Sequence, residues 1–114
     1  MTTLLALDIG GTKVGWGIVE AGDTYEVTER GSIPTDAMRG GADVAARICD
    51  LASSLVASHP QMSGVAVASA GVVDPATGDI VSATGTMPGW GGTHLGALLQ
   101  EATGLKVRVL NDVH

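Results

Sequence analysis

A chain of 114 residues with 45% hydrophobic and 16% charged side chains is sized for one domain with a real core, and its composition excludes an intrinsically disordered chain. Six basic against twelve acidic residues leave a net charge of −6, so the basic footprint of a nucleic-acid binder is missing, and the single Cys49 allows no intramolecular disulfide. No apolar run nears the roughly 20 residues of a membrane span, and no signal-peptide pattern opens the chain, so a cytoplasmic protein without membrane attachment is expected. Glycine is the outlier at 17 residues without a triplet period, which points to tight turns and to backbone that approaches something closely.

In chain order, residues 3–9 (TLLALDI) read as a buried strand closed by Gly10-Gly11. Residues 14–20 (VGWGIVE) alternate as a second strand, and residues 25–33 read as a more polar third strand at a sheet edge. The period then changes. Within residues 42–58, Val44, Ala45, Ile48, Leu51, Ala52, Leu55 and Val56 recur at three- and four-residue spacing, as one helical face requires, and Pro60 follows as a stop. Residues 64–68 (GVAVA) are again a buried strand, and residues 69–79 read as a loop. Residues 93–103 read as a second helix with Thr93 as N-cap and Gly104 as C-cap, before a last short strand at residues 107–110. Two helical crossovers make the first, fourth and fifth strands parallel in a mixed sheet that the early meander extends on one side. Ligands on such sheets gather at the carboxyl ends of the parallel strands, where residues 8–13, 69–74 and 111–112 meet.

Two of these segments carry chemistry. DIGGTK (8–13) sets a carboxylate at a strand end beside two glycines and a hydroxyl. Glycine lets backbone N–H groups face an anion with no Cβ in the way, Thr12 adds a donor, and Asp8 could hold Mg²⁺ through water. The segment lacks the Walker A spacing, and a bare Gly-Gly would read as a plain hairpin turn; the flanking Asp8 and Thr12 shift the reading to phosphate. Asn111-Asp112 directly follows an apolar strand, which suits either an Asx turn or a general base at the strand's carboxyl end. If the fourth strand lies between the first and fifth, Asp8 and Asp112 start about 10 Å apart, room for a transferring phosphoryl group.

DIGGTK (8–13), GVAVASAGVVDPATGDI (64–80), PGW (88–90) and VRVLNDVH (107–114), in this order and spacing, resemble the ROK family of sugar kinases and repressors, over the whole chain. The resemblance implies an α/β, actin-like (ribonuclease H-like) ATPase fold, a five-stranded mixed sheet of order 3-2-1-4-5 with flanking helices. It implies transfer of the ATP γ-phosphate to a hexose or N-acetylated hexose, with ATP and Mg²⁺ as cofactors. By position, Gly10, Gly11 and Thr12 match the phosphate loop, Asp8 the metal-side acid and Asp112 the catalytic base. Asn111 matches a sugar-hydroxyl ligand, and Gly71 lies in the loop bordering the sugar. Lys13 could neutralise phosphate, or be a plain exposed lysine after a turn. Family kinases usually carry Asn two residues before the Pro of PGW; here that position is Thr86, which still offers one hydroxyl to a sugar.

Family members continue into a second lobe, so residues 1–114 read as the N-terminal lobe of a glucokinase-like sugar kinase, inactive alone and with apolar surface that favours a homo-oligomer. The rival is a sugar-sensing ROK regulator, which carries a helix-turn-helix ahead of the DIGGTK strand; that strand begins here at residue 3, and the charge is acidic. A polyphosphate-using relative would differ mainly outside these residues. His59, His94 and His114 lack the spacing of a metal site, so no zinc is expected in this chain. Cys49 reads as a small buried hydrophobe, and Trp90 as a packing anchor that, at the mouth of the sugar loop, could also line the site.

Overall fold

Alternation along β1 (Thr2–Ile9) sends Leu5, Leu7 and Ile9 into the core and leaves Ala6 and Asp8 on the opposite face. The computed structural model of the chain describes residues 2–83, 85 and 87–111. β2 (Lys13–Ala21) returns antiparallel to β1, and β3 (Tyr25–Pro34), largely exposed, completes the meander at the sheet edge. A short 3-10 turn (Ala37–Arg39) leads into α1 (Gly41–Ser58), whose Val44, Ala45, Ile48 and Ala52 are buried. β4 (Met62–Ser69) then runs parallel to β1, and β7 (Lys106–Asn111), reached through α2 (Leu95–Thr103), runs parallel to β4. The sheet order is β3-β2-β1-β4-β7, the expected five-stranded mixed sheet. The buried faces of α1 and α2 join Leu5, Leu7, Val65, Val67 and Val109 in one core. Among the described residues, no helix is long and apolar enough to cross a membrane.

Two expectations are corrected. Residues 69–79 are not one loop: β5 (Val72–Asp74) and β6 (Asp79–Ser82) form a separate two-stranded hairpin. Its turn is built by Asp74, whose carboxylate accepts the Ala76 N–H at 3.0 Å and whose carbonyl accepts the Gly78 N–H at 2.8 Å. Val73 and Ile80 then bury themselves in the core, a gain that three- and four-residue strands show too briefly to register as alternation. The second correction concerns the start of α2. Thr93 is not its N-cap, because its N–H donates to Trp90 O at 3.2 Å and its carbonyl accepts the Ile80 N–H at 2.8 Å. That pairing with β6 holds Thr93 in the preceding turn, and His94 stands at the cap position without a side-chain capping bond. Gly104 does cap the other end, with φ +71° and its N–H on Gln100 O.

The entry to α1 is the tightest backbone approach in the core. A Cβ on Gly41 would stand 2.0 Å from the Gly89 carbonyl oxygen, so Gly41→Ala must push α1 away from that turn. The expected cost is about 1–3 kcal/mol by overpacking, read from chemical denaturation midpoints at unchanged slope. At the far end of α1, His59 sets Nδ1 2.8 Å from Leu55 O and Nε2 2.5 Å from the Glu29 carboxylate of β3. Two acceptors facing both ring nitrogens suit the imidazolium, and the Glu29 hydrogen bond, then the Leu55 carbonyl, hold the His59 pKa above its usual 6.5. The contribution to stability is therefore full below about pH 6.5 and lost as pH rises through the raised value. His59→Gln should flatten that part of the stability–pH curve, measured as thermal midpoints from pH 5 to 9.

Candidate functional site

Register alone brings three loops together. Ile9, Ser69 and Asn111 are direct neighbours across β1, β4 and β7, so the chain leaves β1 and β4 at one edge, beside Asn111 of β7. β4 does lie between the other two, which sets the ends of β1 and β7 two strand spacings apart, about 10 Å.

At the end of β1 the chain turns through residues 10–13. The Gly10 N–H donates to Lys13 O at 3.0 Å, and a Cβ on Gly10 would come within 3.3 Å of that same oxygen. The bonds of this turn use the Gly10 N–H and the carbonyls of Gly10, Thr12 and Lys13. Gly11, Thr12 and Lys13 are exposed, and among the described residues the turn's bonds engage neither the N–H groups of Gly11 and Thr12 nor the Thr12 hydroxyl nor the Lys13 ammonium. Asp8, also exposed, lies with Lys13 and Asn111 on the wall of a groove of about 1110 Å³ that runs over the face of the sheet opposite the helices. A carboxylate on one groove wall with the Lys13 ammonium, in a segment that also carries the N–H groups of Gly11 and Thr12 and the Thr12 hydroxyl, is a donor set of the kind that fits a nucleotide phosphate with its Mg²⁺, an ion that keeps several waters and needs only one or two carboxylates.

The other two loops are tied to each other. The Asn111 side-chain amide donates to Gly71 O, and its Oδ1 accepts the Val73 N–H at 3.1 Å. Gly71 has φ +92°, and a Cβ there would sit 2.6 Å from Ser82 O, so the position accepts only glycine. The Ala70 N–H reaches back to Ile9 O at 2.9 Å and carries the β1–β4 ladder one step past the strand. Asn111 thus fixes the loop containing Gly71, a structural task that its reading as a sugar ligand did not include. It keeps one amide hydrogen and one lone pair for another partner.

Trp90 is fully buried, and its indole N–H donates to the equally buried Ser69 Oγ at 3.2 Å. The packing-anchor reading of PGW holds, with the addition that the anchor binds the last residue of β4. Thr86 and Asp112, assigned to sugar and catalysis, lie outside the described residues, as does His114. Cys49 is half-buried on α1, and burial, then the carboxylates of Asp50 and Glu101, push its thiol pKa up, away from the thiolate form.

Thr35 and Arg47 were missed from the sequence. Thr35, 0% exposed, donates its hydroxyl to Gly10 O at 2.7 Å and its N–H to Thr12 O at 3.0 Å. Arg47 of α1 donates to the carbonyls of Pro34 and Thr35 and pairs with Asp43. A threonine after Pro34 and a single arginine on a helix give no periodic signal. The one available cue was a basic side chain three residues after Val44, in the middle of an otherwise apolar helical stripe.

Comparison with known proteins agrees with this geometry. The family model described as ROK family matches residues 4–114. The chain spans only 38% and 35% of the two curated relatives considered. The second of these, the Beta-glucoside kinase of Klebsiella pneumoniae, is 30% identical over 111 residues, 97% of this chain. Among solved structures, an inorganic polyphosphate/ATP-glucomannokinase from Arthrobacter sp. strain KM is 30% identical with TM-score 0.72, over 98% of this chain and 45% of its own. A ROK family transcriptional regulator, a homologue of the E. coli MLC protein, shares the fold at 23% identity and TM-score 0.79, over 96% of this chain and 28% of its own. With a family model matched from the first buried strand to the last residue, the chain belongs to the ROK family.

Proposed function

We propose that these residues form the nucleotide-phosphate lobe of an ATP-dependent hexose kinase, which a second lobe completes. The observation that carries the reading is the exposed turn at residues 10–13. Its Lys13 shares a groove wall with Asp8 and Asn111 at the carboxyl edge of the parallel strands, and the turn is one strand removed from the loop that Asn111 holds. The kinase relatives at 30% identity support it over the regulator, whose likeness extends to the fold alone.

In this reading the N–H groups of Gly11 and Thr12 and the Thr12 hydroxyl orient the ATP phosphates, and Lys13 neutralises part of their charge. Asp8 would hold Mg²⁺ through water, an ion that when bound supplies charge neutralisation on the transferring group. On the sugar side Asn111, the loop of Gly71 and the Thr86 hydroxyl hold the hexose or N-acetylated hexose in register. Asp112 takes the proton of the attacking hydroxyl as its oxygen bonds to the γ-phosphorus and the bond to ADP breaks. The work is positioning and electrostatic stabilisation, and half a cleft leaves the nucleotide unclamped and wet. Residues 1–114 alone should therefore release no ADP, and they should self-associate, read by light scattering.

The test is a coupled ADP-release assay of the protein carrying both lobes, run against a hexose panel with ATP and with polyphosphate as donor. Turnover on at least one hexose is expected; sugar binding with no turnover on any donor would favour the regulator instead. Asp112→Asn keeps shape and hydrogen-bonding reach but removes basicity, so kcat should fall about 10²- to 10⁴-fold while sugar binding survives. Asp8→Asn should instead shift the Mg²⁺ dependence to higher concentration, which separates the two carboxylates by role.

A further inference from the structure

The hydrogen bonds around residues 10–13 have one hub. Thr35 touches the turn twice, through its hydroxyl on Gly10 O at 2.7 Å and its N–H on Thr12 O at 3.0 Å. The second bond continues the β2–β3 ladder beyond its last pair, Lys13 with Pro34, and the first crosses to the far side of the turn. Together they grip both arms of the loop. Asp36 then leaves in the left-handed region at φ +48°, the only non-glycine residue with positive φ among those described. That bend takes the chain off the sheet immediately after Thr35, and the carbonyls of Pro34 and Thr35 take donors from α1. Arg47 supplies them: Nη1 donates to Pro34 O at 2.9 Å, Nη2 to Thr35 O, and Nε to Asp43 at 2.8 Å.

We infer that Thr35, held by Arg47, is a positioning residue that sets the phosphate-binding turn in its ligand-ready shape. The inference rests on the kinase reading above. Thr35 is fully buried and touches no solvent, so it acts on ATP only through the loop it grips. The N–H groups of Gly11 and Lys13 point where the carbonyls of Gly10 and Thr12 allow, because each carbonyl shares a peptide plane with the N–H that follows it. The Gly10 carbonyl fixes the Gly11 N–H in this way, and the Thr12 carbonyl fixes the Lys13 N–H. Removal of the Thr35 hydroxyl takes away the donor that the Gly10 carbonyl has in this fold, and with it one of the two bonds that hold the turn. A strained residue beside a buried clamp is the arrangement expected where geometry is held for a ligand rather than for stability alone.

The test uses the two-lobed protein, with the wild type assayed alongside. Thr35→Val keeps the branched shape and both backbone bonds and removes only the hydroxyl. The nucleotide KM should rise about fivefold or more, the size of one net hydrogen bond, while the hexose KM stays within about twofold. Thr35→Ser restores the donor and should return the nucleotide KM to near wild type. If Thr35→Val fails to fold, Arg47→Met carries the test, since it retains the apolar stem and frees the Thr35 carbonyl; the same split between the two KM values is expected. A lowered melting temperature with both KM values unchanged, in either variant, overturns the inference and makes the clamp structural only. A wild type that releases no ADP with any hexose overturns the kinase reading itself, and the positioning role falls with it.

Discussion

Everything at this site depends on the register of three parallel strands. Ile9, Ser69 and Asn111 stand side by side, so the turn after β1, the loop after β4 and the Asn111 side chain meet at one edge, within about 10 Å. A slip of one residue in β4 would turn Val65, Val67 and Ser69 to the open face and carry the Trp90 anchor away from its acceptor. The Ser69–Trp90 bond is therefore a register lock as well as a packing contact. A buried indole N–H with no other acceptor penalises every alternative pairing by the cost of an unpaired polar group.

α1 braces both halves of that edge. Its first residue lies against the backbone of Gly89 in the PGW turn, and its second turn sends Arg47 to the end of β3 and, through Thr35, to the turn at residues 10–13. The two loops assigned to sugar and nucleotide thus share a helix, although they are far apart in sequence. A rigid helix between them lets loops with little packing of their own keep a defined shape, since each is tied at its base to an element with a buried face.

Much of this could be read from the sequence, for reasons that are specific to each element. β1, β4 and α1 announced themselves because long buried segments carry strong periodicity: seven apolar positions in α1 and an unbroken run in β1. The turn at residues 10–13 was legible because its chemistry is local, a carboxylate, two glycines and a hydroxyl within six residues. The β5–β6 hairpin was not, because its strands are short and its stability comes from Val73 and Ile80 meeting a core assembled elsewhere. Thr93 misled for a related reason. It is a good N-cap by residue type, but its backbone was already committed to β6. Thr35 and Arg47 show the general limit: a side chain whose partners lie 25 and 12 residues away leaves no trace in local pattern. Asn111 was placed at the right edge from its strand, while its bonds to Gly71 and Val73 depend on a fold that only tertiary packing defines.

The glycine excess takes on a different meaning once the strands are in place. From composition, so many glycines pointed to turns and to backbone approaching a ligand. Several of them instead let one element of the chain approach another. Gly41 meets the Gly89 backbone, Gly78 meets Gly96 across the hairpin and the start of α2, and Gly71 lies under the Ser82 carbonyl. These three approaches have one consequence. They bring the PGW turn, the hairpin and both helices close enough to the sheet for Trp90, Ile80 and Leu95 to be fully buried in a chain of 114 residues with no phenylalanine. A small core made largely of valine, isoleucine, leucine and alanine stays dense only if its layers lie close, and side chains at those positions would hold them apart. The same closeness keeps the three loops at the strand ends on short, fixed bases, and a site that works by positioning requires that.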